Sequence, residues 1–178
     1  MRDIVTRTVF LFCFLAISVE IHGQNRQPAS EQTSFSEFQV SHPVALNPEI
    51  IKLLLKTAAG RQGLDFASDG ELRDPSQLFV ASEVHLGQNQ NRALVVLGRS
   101  AMSGADNDWF WIVLREGNHA RVVLWAGAYS LQLMSHRTNG LRDITTFWDT
   151  ALESFTRVYK YNGKAYRLWR DKVTEKPM

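Results

Sequence analysis

Cysteine is nearly absent: Cys13 is the only one, so no disulfide can form within the chain. None of the asparagines from Asn25 to Asn162 opens an N-x-Ser/Thr sequon, the acceptor of N-glycosylation. No apolar run approaches the roughly 20 residues that a membrane-spanning helix needs. Charge of one sign is also missing, because 20 basic and 18 acidic residues leave a formal net charge of +2. Each absence excludes something. A balanced charge with Arg and Lys interspersed among acids argues against a nucleic-acid binder, which carries a clustered basic face. The exception, Lys160 to Lys176, reads as a solvated edge strand and tail, since Lys and Arg protect exposed edges. The acids between Gly60 and Gln77 lack the D-x-[DN]-x-[DN]-G alternation of a calcium loop. Gly98-Arg-Ser-Ala-Met102 misses the last glycine of a G-x-S-x-G nucleophile elbow. No catalytic, metal or cofactor constellation emerges, and the expected cofactor is none.

What is present begins with an export signal. Arg2 and Arg7 form a basic n-region, Val9 to Val19 an apolar h-region of 11 residues, and Ile21-His22-Gly23 a cleavage site before Gln24. Cys13 lies inside the h-region behind Phe12, not behind a small residue, so it does not mark lipid attachment. Cleavage leaves 155 residues, cysteine-free and still +2, enough to build one core without disulfides. The expected location is therefore periplasmic or secreted, with no membrane span once residues 1–23 are removed. Such a chain suits a bacterial periplasm, because eukaryotic secreted domains commonly carry disulfides.

Residues 24–46 are polar and aperiodic and predict a flexible N-terminal segment. Asn47-Pro48-Glu49 then reads as N-cap, first helical position and first-turn acid, with Ile50, Ile51, Leu53, Leu54 and Leu55 supplying the apolar face of a helix over Pro48 to Ala59. From Leu78 onward short runs rich in Val, Ile, Phe, Trp and Tyr alternate with Gly and Asn, the pattern of antiparallel strands. Strands are expected at about 78–86, 93–98, 109–115, 120–127, 130–137, 141–148, 155–161 and 164–170. Asn139-Gly140 and Asn162-Gly163 read as two-residue hairpin loops with positive φ. Along 109–115, Trp109 and Trp111 share one face while Phe110, Ile112 and Leu114 share the other, so both faces ask for burial.

The two halves of this region repeat. Gly87 to Val96 lies against Arg137 to Thr146 at an offset of 50, and Ile112 to Gly117 against Val158 to Gly163 at an offset of 46. The difference falls in the connector, longer at Arg99 to Asp108 than at Asp149 to Ser154. A period near 50 belongs to stacked or propeller-type repeats, though two copies cannot close a propeller.

This order of a Gly/Asn turn, a short strand such as Leu94-Val-Val96 and an aromatic strand ending in Asn-Gly resembles the FG-GAP or VCBS repeats of extracellular proteins. It is also similar to small periplasmic proteins with an Asn-Gly-x-Arg-Asp-Ile turn, here Asn139 to Ile144, and an ending like Tyr159 to Tyr166. The resemblance spans Leu78 to Arg170 and implies hairpin architecture. It also implies calcium binding by loop acids, but His85, Gly87 and Asn89, then Ser135, Arg137 and Asn139, stand where those acids belong. Calcium is therefore not carried over.

The expectation is one α+β domain over 47–171 followed by a tail at 172–178, with an N-terminal helix packed on an antiparallel, hairpin-rich sheet of about eight strands in two similar halves. The leading functional reading is a non-enzymatic extracytoplasmic binding or inhibitory module for a protein or glycan partner. Its expected recognition surface is Arg99, Asp106, Asp108 and Trp109 on the long connector, with Glu83 and His85 on a strand. His119 or His136 would complete a site with Glu83 and His85. The alternative is a cell-wall or glycan hydrolase using paired carboxylates among Glu83, Asp143 and Asp149, which requires two of them about 5 to 9.5 Å apart in a cleft.

Overall fold

The computed structural model describes residues 31–36, 39–87, 92–104, 108–117 and 119–176. The expected signal over 1–23 lies outside them. The eight predicted strands are present, but they divide into two five-stranded antiparallel sheets instead of one sheet of eight. Two short strands, β1 (Ser34–Ser36) and β2 (Pro43–Val44), precede the helices, so the helix is not the first element. Phe35, fully buried, explains β1: it drops one aromatic side chain into the core from an otherwise polar segment.

The helical region is also divided. α1 runs Pro48–Leu55, not to Ala59, and α2 runs Ala58–Leu64. Thr57 separates them: its hydroxyl donates to the Leu54 carbonyl at 2.6 Å and accepts from the Gly60 amide at 3.0 Å, ending one helix and capping the next. The turn is tight enough that a Cβ on Gly60 would lie 2.2 Å from the Leu54 oxygen. A third helix, α3 (Asp69–Arg73), is opened by a capping box in which Ser68 and Glu71 exchange hydrogen bonds.

Strands β3 (Phe79–His85), β4 (Arg92–Gly98), β5 (Asp108–Glu116) and β6 (His119–Ala128) form one meander, with β2 added beside β3. Strands β7 (Ser130–Thr138), β8 (Leu141–Asp149), β9 (Glu153–Tyr161) and β10 (Tyr166–Glu175) form the second, with β1 added beside β7. The meanders match in register at the offsets read from the sequence. Ser82 pairs with Val95 as Gln132 pairs with Thr145, and Val95 pairs with Ile112 as Thr145 pairs with Val158. One bulge coincides as well. Val123 is the extra residue between the Ile112–Leu124 and Val113–Val122 pairs, and 46 positions on Trp169 is extra between Val158–Arg170 and Tyr159–Leu168.

The meanders stack front to back. Val80, Ala93, Val95, Leu97, Phe110, Ile112 and Leu114 of the first form a core with Leu131, Leu133, Ile144, Tyr161 and Tyr166 of the second. Those second-meander positions correspond to Ala81, Glu83, Leu94, Arg115 and Ala120 of the first, which lie on its opposite face. That opposite face carries a second core in which Ala81, Leu94, Val96, Trp111 and Val113 meet Ile50, Ile51 and Leu54 of α1. β5 is thus buried on both faces, as its two apolar stripes require, and each large side chain so covered is worth about 1.5–3 kcal/mol. The order is helices, first meander, second meander.

Turn chemistry follows the sequence at Asn139-Gly140, where both residues have positive φ, 49° and 83°, and the loop is two residues. At Asn162-Gly163 it does not. The ladder ends at Tyr161–Tyr166, leaving a four-residue loop in which the Asn162 side chain accepts from the Lys164 and Ala165 amides and only Gly163 is left-handed, at φ 93°.

Candidate binding groove

Asn47 accepts from the Glu49 amide at 2.8 Å and fixes the start of α1, whose apolar residues then seat on the first meander. The helix leaves the hairpin end of that sheet uncovered. The result is a groove of about 730 Å³, with Asn47, Glu49, Lys52, Leu53 and Lys56 on the helix side and Glu83, Leu94, Arg115, His119 and Ala120 on the sheet side. In the second meander the positions of Glu83, Arg115 and Ala120 are Leu133, Tyr161 and Tyr166, all buried in the inter-sheet core. The groove therefore occupies the place where the repeat would put packed side chains, and the charged Glu83 and Arg115 and the small Ala120 stand there instead.

Its electrostatics are one-sided. Glu49 is bound by Lys52 at 2.9 Å, and the hydrogen bond and charge of Lys52, with a lesser field from Lys56, hold its carboxyl below the usual range. Glu83 pairs with Arg92 at 3.4 Å. Lys56 and Arg115 have no carboxylate within ion-pairing distance among the described residues. Both acids of the groove are thus already engaged while two of its cations are not, which favours an anionic guest.

The predicted recognition residues do not converge. Glu83 lines the groove and His119 joins it there, but His85 is exposed and its Nδ1 lies 3.3 Å from Glu31. Arg99, Asp108 and Trp109 sit at the other end of the sheet: Phe79, at the start of β3, pairs with Gly98, while His85 pairs with Arg92. Those ends are six residues apart along β3, about 20 Å. Asp108 is buried and accepts from the Ser103 hydroxyl. Trp109 packs edge-to-face on Trp125 with centroids 5.7 Å apart. Asp106 lies outside the described residues.

The candidate hydrolytic carboxylates are also dispersed. Asp143 and Asp149 are six residues apart on β8, again about 20 Å, and Glu83 belongs to the other sheet. Each holds a different base: Arg92 for Glu83, His136 for Asp143 at 2.8 Å, Lys176 for Asp149 at 3.2 Å. His136 therefore serves Asp143, not the Glu83 site. The groove itself holds two acids, Glu49 and Glu83.

Lys52, Lys56 and Arg115 were not among the residues singled out from the sequence. The spacing of Lys52 and Lys56, four residues apart at the end of α1 and its C-cap, is the signal that marks them. Among the described residues no three of His, Cys, Asp and Glu group to hold a metal ion, and no helix is long and apolar enough to cross a membrane. No protein-family model, curated protein or solved structure matches the chain.

Proposed function

We propose that this protein is an exported, non-enzymatic binding module whose groove between α1 and the first meander takes an anionic group of its partner, a carboxylate or a phosphate. One observation carries the reading: among the described residues, Lys56 and Arg115 line the groove without acidic partners while Glu49 and Glu83 are paired. Export rests on the basic n-region and short apolar run at the N-terminus. The dispersal of Glu83, Asp143 and Asp149 speaks against glycan hydrolysis by a pair drawn from these three.

Calorimetric titration of the mature chain tests it. Succinate and inorganic phosphate are expected to bind and ethylenediammonium not to bind, with Arg115→Ala weakening the anions about tenfold or more, since a charge-assisted contact is worth about 1.5–3 kcal/mol. Equal binding of the cation, or anion binding untouched by Arg115→Ala, defeats the proposal. Release of reducing ends from peptidoglycan, lost in Glu83→Gln, would instead favour glycan hydrolysis with Glu83 and Glu49 across the groove.

A further inference from the structure

The opposite end of the first meander carries a second recess of about 360 Å³, lined by Gln62, Phe66, Ser100, Met102, Ser103 and Trp109. Among the described residues, none that line it is charged. Two aromatic rings border it. Phe66 is 75% exposed, and Trp109 is backed edge-to-face by Trp125, itself 44% exposed. Aromatic rings at the border of a recess offer flat apolar faces on which a guest can stack.

The Ser103 hydroxyl donates to Asp108, so it has spent its proton and offers only lone pairs to a guest. The Gln62 amide adds a donor and an acceptor. A guest that suits this lining has a flat apolar face for the rings and several O–H donors at its edge. The floor is stiff, because Gly63 and Gly98 admit Met102 at distances no side chain permits: a Cβ would lie 2.1 Å from its sulfur at Gly63 and 2.4 Å from its carbonyl oxygen at Gly98.

The geometry points to a neutral saccharide site in this recess, with the C–H face of a pyranose on Phe66 and Trp109 and its hydroxyls donating to Ser103 and the Gln62 carbonyl. The site is independent of the anion groove, about 20 Å away along β3. It makes the module two-sided: one recess for charge, one for a sugar ring.

Tryptophan fluorescence and amide-shift titrations of the mature chain with cellotriose, maltotriose and triacetylchitotriose test the proposal. At least one saccharide is expected to give a saturable change at millimolar concentration, with shifts confined to the residues around Phe66, Ser103 and Trp109. Phe66→Ala removes an exposed ring and leaves the fold intact, and it is expected to weaken that saccharide about tenfold. Arg115→Ala is expected to leave it unchanged, which separates this site from the groove. No saturable change with any of the three saccharides, or affinity undiminished in Phe66→Ala, overturns the proposal.

Discussion

The two meanders share most of their ladder register and one bulge, yet most of their matched side chains differ in character. Val95, Leu97, Phe110, Ile112, Leu114 and Leu124 on the inter-sheet face of the first correspond to Thr145, Phe147, Thr156, Val158, Lys160 and Arg170 of the second. The first set is buried, the second half-buried or exposed. The backbone plan is common to both; what differs is whether a layer lies on top. A terminal unit in a stack must present a polar outer face to stay soluble, and the second meander does so. At the other end of the stack α1 and α2 cover the first meander only partly, and the anion groove is the part they leave.

That contrast predicts unequal costs at equivalent positions. Phe110→Ala empties a fully buried site between the sheets and is expected to cost about 3–5 kcal/mol in urea denaturation, whereas Thr156→Ala at the matching position is expected to cost under about 1 kcal/mol. Equal losses would mean that the second meander's outer face is covered as well.

A smaller effect is expected where the registers part. Between Leu133–Ile144 and Arg137–Arg142 three residues of β7 face one of β8, and the Arg142 guanidinium donates to the Leu133 and Met134 carbonyls at 2.9 and 2.8 Å. Asp143 lies in this bulge, 5% exposed, with Oδ2 on His136 and Oδ1 without a partner among the described residues. Burial first, and then the Asp143 charge, push the Tyr166 phenol up. His136→Ala is expected to cost about 1–3 kcal/mol by stranding the acid, and His136→Ala with Asp143→Ala to recover most of it, because Ala93 is what the first meander holds there. A double variant no better than the single would show that the acid itself stabilises the bulge.

The long connector offers two further tests. Gly98→Ala is expected to cost about 1–3 kcal/mol, since Met102 folds back against it, while Trp148 occupies the matching place before a connector of three residues, 150–152. Glu71, tied first to Ser100 and then to Ser68, is held down to about 2 from an ordinary 4.5. Because its folded pKa is depressed, its contribution is present above 4.5 and lost as pH falls from 4.5 toward 2. A melting profile across that window should be flatter in Glu71→Gln than in the parent; a profile of the same slope would detach Glu71 from the connector.

Much of this plan was legible in the sequence. Alternation located all eight meander strands, because a half-covered strand must alternate and a doubly covered one, such as β5, must be apolar throughout. The repeat offsets were legible because register is preserved wherever one face is buried. The split into two sheets was not: Thr145, Thr156 and Val158 suit a strand whichever way the sheet faces, so nothing local says that the second meander lies behind the first. α2 was hidden by Gly60 and Gly63, which weaken a helical pattern and serve here as small residues for packing, whereas the Ser68–Glu71 capping box of α3 was there to be seen. Of the groove, Glu83 was legible as a polar residue in an apolar strand. Lys56 and Arg115 were not, because the recess depends on where α1 ends and how far it covers the sheet.

The relation between the repeat and the groove is tested most directly by giving the first meander the second one's residues. Glu83→Leu with Arg115→Tyr restores the pair found at Leu133 and Tyr161. The account predicts a folded protein of equal or greater stability whose calorimetric response to succinate and phosphate is gone. Unchanged anion binding by this variant would contradict it.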